Sequence, residues 1–123
     1  MRKGPILIVD DCRLTRAIIQ DMLAEEGLEV VMAASAIEAN PYLEQDPGPS
    51  LILMDVVMPT LSGDRKVRRM KAQPARRKVP MVLISTRPLI ELRRLASAAG
   101  ADACLQKPLS KSSLLETINR LTD

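Results

Sequence analysis

The sequence predicts an α/β fold, a doubly wound five-stranded parallel sheet of the (βα)5 type with helices on both faces. Five short apolar segments alternate along the chain with five longer segments whose apolar residues have helical spacing. Three of the apolar segments, 5–9, 51–54 and 81–84, contain no polar residue, which is typical of parallel strands buried on both faces. The length of 123 residues is that of one domain, to which we assign residues 1–123.

Strands and helices are predicted to alternate from the N-terminus onward. The strands are expected near 5–10, 28–33, 50–55, 80–85 and 102–106. The helices are expected near 12–26, 35–46, 63–73, 88–99 and 110–121. The second helix contains Pro41, so it is either kinked there or starts late, with Asn40 as its cap and Pro41 as its first residue.

Residues typical of helix ends bound three of these helices. Gly27 suits the left-handed position after the first helix, and Gly100 ends the fourth. Pro88 fits the first position of the fourth helix, and Ser110 fits the N-cap of the fifth. The first helix is expected to face the core through the following side chains: Leu14, Ile18 and Met22, with Ile19 and Leu23 beside them.

Composition excludes several function classes. The chain contains no histidine, which rules out histidine metal sites and Ser-His or Cys-His catalysis. No apolar run approaches the roughly 18 residues of a membrane span. The two cysteines, Cys12 and Cys104, are too few for a disulfide framework and indicate reduced thiols in a cytoplasmic protein. Because Cys12 follows two carboxylates, we expect them to raise its pKa and keep it a poor nucleophile.

Polar side chains stand where four of the predicted strands end. Asp10 and Asp11 follow the first strand, Asp55 ends the third, Ser85 ends the fourth, and Lys107 follows the fifth. If the first and third strands are neighbours, the three carboxylates meet at one edge of the sheet. Such a cluster suits Mg²⁺ and a phosphoryl group, with Asp55 as an oxygen nucleophile. Taken singly, Asp11 could instead be a helix cap.

These residues lie within motifs that resemble the receiver domain of two-component response regulators along the whole chain. The matching segments are Ile8-Val9-Asp10-Asp11 with Arg16, Leu53 to Pro59 with Gly63, Leu83-Ile84-Ser85, Ala99 to Asp102, and Lys107-Pro108. The resemblance, which is to chemotaxis regulators in particular, implies a flavodoxin-like fold with strand order 2-1-3-4-5. That order comes from known family members and not from the spacing in this chain.

The resemblance also implies roles for the strand-end residues. Asp55 would accept a phosphoryl group from the phosphohistidine of a sensor histidine kinase or a histidine phosphotransfer protein. Asp10, Asp11, Asp55 and the Val57 backbone carbonyl would bind Mg²⁺, while Ser85 and Lys107 would sense the phosphoryl group. The response would be a shift of the face formed by helix 4, strand 5 and helix 5, read by a downstream effector. The domain would thus signal and not act as an enzyme.

The chain departs from the family pattern near the expected phosphoryl site. Cys104 occupies a position where the family usually has an aromatic ring, which weakens the expected switch. Thr86 is slightly larger than the usual small residue after Ser85. Val57 and Arg87 border the site and are expected to affect how water reaches it; the Arg87 guanidinium could pair with phosphate.

The segment 65–78 carries eight basic and no acidic residues, whereas the rest of the chain has ten basic and fifteen acidic residues. It is either a solvated helix face and loop or a docking site for an acidic partner or a nucleic acid. With Tyr42 as the only aromatic residue, base stacking is limited, so direct nucleic-acid binding is the less favoured of these and would rest on non-specific phosphate contacts. No membrane partner is expected, and a homodimer remains open.

Two other functions are compatible with the fold. One is a pseudo-receiver, an interaction domain that works without phosphorylation, against which the complete set of site residues argues. The other is a small phosphohydrolase with an aspartyl intermediate, for which Asp10-Asp11-Cys12 has the wrong spacing.

Overall fold

The computed structural model of the chain describes residues 4–122, in which five strands alternate with five helices. The strands are β1 (Ile6–Val9), β2 (Val30–Ala33), β3 (Leu51–Asp55), β4 (Met81–Ser85) and β5 (Ala103–Gln106). The helices are α1 (Arg13–Ala24), α2 (Asn40–Leu43), α3 (Gly63–Lys71), α4 (Leu89–Ala99) and α5 (Lys111–Thr122). All strand pairs are parallel in the order β2-β1-β3-β4-β5, which confirms the predicted fold class and the implied order.

Alternating side chains of the strands supply two separate cores, one on each face of the sheet. On β1, Ile6 and Ile8 pack with α1 and α5, whereas Leu7 and Val9 pack with the α2, α3 and α4 side. All four side chains are buried, as the unbroken apolar run predicts. Both faces of the central strands are therefore covered, and their carboxyl ends are where polar groups emerge.

Three of the four predicted helix-end residues have their expected roles. Gly27 and Gly100 have φ of +71° and +77°, in the left-handed region that suits glycine. The Ser110 hydroxyl accepts a hydrogen bond from the Ser113 N–H at 3.2 Å, as an N-cap does. The prediction for Pro88 is wrong by one position: its extended ψ of 142° makes it the cap, and α4 begins at Leu89.

Helix α2 is much shorter than the predicted 35–46 and confirms the late start. A turn at 36–39 precedes it, and Pro41 lies in its first positions. Ala39, and not Asn40, is the residue before the helix. Pro41 has no N–H and would clash with the carbonyl four residues earlier, so a regular helix cannot continue through it. The Asn40 side chain instead accepts a hydrogen bond from Lys66 Nζ on α3.

The inward face of α1 differs from the prediction. Ile19 and Leu23 are fully buried, but Leu14 and Ile18 are 69% and 46% exposed. The apolar spacing does not decide which face of α1 is buried, because the members of the pair Leu14 and Ile18 and of the pair Ile19 and Leu23 are each four residues apart. In the structure, Ile19 and Leu23 pack against β1 and α5. Within residues 4–122, no helix has both the length and the apolar character needed to span a membrane.

Candidate functional site

Three carboxylates meet at the point where the strand order reverses. Strands β1 and β3 are neighbours with Val9 opposite Met54, so Asp10 emerges beside Asp55. Oxygen atoms of Asp10, Asp11 and Asp55 all lie within 4.8 Å of one another. Asp10 and Asp55 are buried, whereas Asp11 is exposed to solvent. The predicted convergence is therefore present, in a cleft that is open on one side.

Lys107 joins this cluster from the end of β5. Its Nζ lies 2.7 Å from Asp10 Oδ2 and 3.1 Å from Asp55 Oδ1. The second Asp10 oxygen accepts a hydrogen bond from the Cys12 N–H at 2.8 Å. The Arg16 guanidinium donates to the Asp10 backbone carbonyl at 2.7 Å. The sequence had identified Arg16 only as part of a motif, and the structure gives it a direct contact that holds the Asp10 turn.

One lysine does not balance the negative charge of the site. Burial and the nearby Asp10 charge raise the pKa of Asp55 from 3.8 to about 6, although Lys107 acts in the opposite direction. Burial alone would lower the pKa of Lys107, but its hydrogen bond to Asp10 and the two carboxylate charges raise it. A divalent cation would relieve this excess, and carboxylate oxygens are the ligands that Mg²⁺ prefers. Among the described residues, none donates a backbone hydrogen bond to the Val57 carbonyl, and its role as a ligand stays a prediction.

Gly63 holds the first turn of α3 directly against the Asp55 backbone. Its N–H donates to the Val56 carbonyl at 2.9 Å. A β-carbon at this position would lie 1.9 Å from the Asp55 carbonyl oxygen and 2.9 Å from Met54 Cγ. No side chain fits in that space. Only glycine therefore lets the first turn of α3 pack directly against the last residue of β3.

Ser85 and Lys107 are connected through the backbone. The Ser85 carbonyl accepts a hydrogen bond from the Lys107 N–H at 2.7 Å, and its buried hydroxyl accepts one from the Arg87 N–H at 3.1 Å. Thr86, which lies between Ser85 and Arg87 in the chain, is exposed to solvent. The Arg87 guanidinium pairs with Glu91 at 2.7 Å, one helical turn along α4. In this structure the guanidinium is therefore ion-paired with α4, and its contact with a phosphoryl group stays a prediction.

The two cysteines are free thiols in different surroundings. Cys104 lies half-buried on β5 opposite Leu83, and burial raises its pKa. Cys12 is exposed at the N-cap of α1, where the Thr15 hydroxyl and backbone lower its pKa more than burial and Asp10 raise it. Asp10 does raise the pKa of Cys12 as expected, but the expected net increase is wrong, because hydrogen bonds at the helix start outweigh the carboxylate.

Comparisons with known proteins agree with this geometry. Residues 6–119 match the family profile of the response regulator receiver domain. The chain is 30% identical over 114 residues to the protein PilH of Pseudomonas aeruginosa, which covers 93% of each chain. Receiver domains bind Mg²⁺ at an acidic site and generally serve as signalling phosphoacceptors.

Two solved structures are similar over nearly the whole chain. The chemotaxis protein CheY4 of Vibrio cholerae is 30% identical with a TM-score of 0.85, covering 96% of this chain and 98% of that one. The receiver domain of a sensor histidine kinase from Pseudomonas aeruginosa PAO1 is also 30% identical with a TM-score of 0.85, covering 98% of each chain. That receiver domain has a magnesium ion coordinated in its active-site cleft. The fold, the acidic cleft and the family match together establish that this chain belongs to the response regulator receiver domain family.

Proposed function

We propose that this receiver domain accepts a phosphoryl group on Asp55 in a Mg²⁺-dependent reaction, as one component of a two-component signalling pathway. The observation that supports it most is the set of carboxylate oxygens from Asp10, Asp11 and Asp55 within 4.8 Å of one another. Lys107 bridges Asp10 and Asp55 in the same cleft. A buried nucleophile beside an acidic cation site and a single lysine matches the requirements of phosphoryl transfer.

The residues that would hold Mg²⁺ are Asp10, Asp11 and Asp55, with the Val57 backbone carbonyl as a further ligand. Bound there, the ion would offset the negative charge of the cleft and of the incoming phosphoryl oxygens. An Asp55 oxygen would attack phosphorus as the bond from phosphorus to the donor imidazole nitrogen breaks, and that nitrogen would keep the bonding electrons. The Lys107 ammonium, which contacts Asp55 Oδ1 at 3.1 Å, would move to a phosphoryl oxygen. The Ser85 hydroxyl would donate to another.

We infer that the phosphodonor is a protein, a sensor histidine kinase or a histidine phosphotransfer protein, that docks beside α1. Leu14 and Ile18 are exposed apolar side chains on the surface of α1. A groove next to the cleft is lined by Thr15, Ile18, Ile19, Thr86, Lys107, Pro108 and Leu109. An apolar partner surface in this groove would bring its phosphohistidine to the open side of the carboxylate cluster.

Intact mass after incubation with acetyl phosphate tests the proposal. The wild type should gain the mass of one phosphoryl group with Mg²⁺ and none with chelator. Asp55→Asn removes the nucleophile and should gain none, whereas Asp21→Asn, which removes an exposed carboxylate of α1, should behave like the wild type. An equal mass gain in the Asp55 variant would overturn the assignment.

The second candidate is a pseudo-receiver, which docks to partners without phosphorylation. The observation that favours it is Cys104, a small side chain on β5 where the family usually carries an aromatic ring. A wild-type protein that gains no phosphoryl mass with Mg²⁺, yet binds a signalling partner, would support this candidate.

A further inference from the structure

Two lysines of the basic segment 65–78 contact other segments of the chain through their ammonium groups, and its other six basic residues have no such contact within the part of the chain that the structure describes. Lys71 Nζ donates to Asp102 Oδ2 at 2.7 Å and to the carbonyls of Arg77 and Val79, which fastens the turn after α3 to the start of β5. Lys66 Nζ donates to Asn40 on α2. The remaining six basic residues form what we call the α3 basic surface: Arg65, Arg68, Arg69, Arg76, Arg77 and Lys78.

In the part of the chain that the structure describes, no carboxylate forms an ion pair with the α3 basic surface. The ion pairs among residues 4–122, taken to 4.0 Å, involve none of its six members. Five of the six are exposed, and Arg76 is half-buried with a hydrogen bond to the neutral Gln73. Burial and the charges of Arg76 and Arg69 lower the pKa of Lys66, so the helix and the turn contribute to one continuous region of positive charge.

The helix dipole accounts for only part of this arrangement of basic residues. Arg68 and Arg69 stand in the last turn of α3, where basic residues interact favourably with the helix dipole. Arg76, Arg77 and Lys78 lie beyond the helix, so the dipole does not explain them. Like charges held close together without a counter-charge destabilise the chain that carries them. A bound anionic group would remove that cost.

We propose that the α3 basic surface is a docking site for a short acidic segment of a partner protein. Helix α3 has nine residues and is about 13 Å long, which fits a segment of a few Asp and Glu side chains. It begins beside Asp55 and runs back toward the start of β4, so most of the surface lies away from the carboxylate cleft. Docking here leaves the phosphoacceptor site open and does not depend on its phosphorylation.

A nucleic acid fits this surface less well than a protein. Residues 10–64 carry eleven acidic and two basic residues, and the contact between Lys66 and Asn40 brings the acidic α2 region next to α3. A long polyanion would run from the basic surface into the field of these carboxylates, which extends about 8 Å at physiological ionic strength. The only aromatic side chain, Tyr42, is half-buried, so a base has no exposed ring to stack on.

Fluorescence anisotropy with a labelled peptide of about 12 alternating Glu and Asp residues, at a salt concentration of about 50 mM, tests the proposal. The wild type and Asp55→Asn should both bind it, with affinity that falls as salt rises. Arg68→Glu with Arg69→Glu should weaken binding about tenfold, and Arg68→Gln with Arg69→Gln should weaken it by less. The matched control is Arg94→Glu with Arg120→Glu, which reverses two exposed charges on other helices. It should change the affinity by less than about twofold, and circular dichroism checks that each variant is folded.

Four results would overturn the proposal. The first is no binding to the wild type, and the second is an equal loss in the α3 pair and the control pair. The third is binding of a single-stranded DNA of equal charge as tight as that of the peptide, which would assign the surface to nucleic acid. The fourth is self-association in sedimentation that the α3 variants abolish, which would assign it to a second copy of this chain. Asp55→Asn cannot be phosphorylated at the proposed site. Peptide binding measured on this variant therefore tests the α3 basic surface independently of the proposed phosphorylation.

Discussion

Replacing Asp55 with Asn should stabilise the metal-free protein at neutral pH and leave its stability nearly unchanged below pH 4. Asp55 is 5% exposed and lies beside Asp10, so its ionised form is unfavourable in the folded protein. Asparagine has nearly the same shape and carries no charge. The substitution therefore removes the charge repulsion and the desolvation cost, while Lys107 keeps its partner Asp10.

The pKa of Asp55 sets the size and the pH range of this effect. The unfolded chain loses the proton near pH 3.8, whereas the folded protein holds it until about pH 6. The penalty for ionising Asp55 is therefore absent below pH 3.8, grows between these values and is complete above about pH 6. At 1.36 kcal/mol per pH unit the interval corresponds to about 3 kcal/mol. Because water reaches the cleft beside the exposed Asp11, screening reduces this to about 1–3 kcal/mol.

Urea denaturation in the presence of chelator, repeated across the pH range, measures the difference directly. The free energy of unfolding of Asp55→Asn should exceed that of the wild type above about pH 6, and the two should converge toward pH 4. Asp21→Asn changes the net charge equally on an exposed part of α1 and should show no such pH dependence.

Either of two outcomes would contradict the reasoning. Equal stability of the two proteins at neutral pH would mean that Lys107 already compensates the Asp55 charge. A gain in stability that is the same at every pH would mean that the effect of the substitution is on packing and not on ionisation.

Three further predictions concern the metal and two structural contacts. Mg²⁺ at about 100 times its Kd should stabilise the wild type by about 2.7 kcal/mol and Asp55→Asn by less, and an unchanged melting transition would count against a metal site. Gly63→Ala should destabilise the fold by about 2–3 kcal/mol because its β-carbon would overlap the Asp55 carbonyl. Gly27→Ala, which has nothing within 4 Å, should cost only the backbone strain of its positive φ, about 1 kcal/mol, so equal costs in urea denaturation would refute the steric argument. Lys71→Met removes three hydrogen bonds and should lower the free energy of unfolding by about 1–3 kcal/mol, whereas Lys78→Met should leave it almost unchanged. An equal effect of the two substitutions would show that the Lys71 contacts contribute little to stability.

The sheet could be predicted from sequence because buried parallel strands have a strong pattern. Each observed strand falls within two residues of its predicted ends, and the polar residues that end them indicated the cleft. Asp10 and Asp55 are 45 positions apart, yet their meeting follows once β1 and β3 are neighbours. The strand order itself was inferred from the family resemblance, since spacing alone does not determine which strands pair. The roles of the site residues remain predictions.

The features that the sequence did not predict depend on contacts between distant segments. Helical spacing gave α1 a wide apolar stripe, and only packing against the sheet decides that Ile19 is buried and Ile18 exposed. Lys71 looked like one more charge in a basic run, but Asp102, far along the chain, pairs with it. The thiol of Cys12 follows two carboxylates, but hydrogen bonds from Thr15 dominate its pKa.

The contacts that connect the carboxylate cleft to α4 are polar and run mainly through the backbone. Lys107 bonds to the Ser85 carbonyl, the Ser85 hydroxyl accepts from the Arg87 N–H, and the Arg87 carbonyl accepts from the Gln106 side chain at 3.0 Å. Cys104, on β5, packs against the core on the α4 side. Its side chain is too small to rotate between a buried and an exposed position as an aromatic ring can. If the Ser85 side chain rotates to bring its hydroxyl to a phosphoryl group, the oxygen moves away from the Arg87 N–H, and the segment that leads into α4 loses one of its hydrogen bonds. The response of this domain should therefore be carried by the segment from Ser85 to the start of α4 and not by a side-chain rotation on β5.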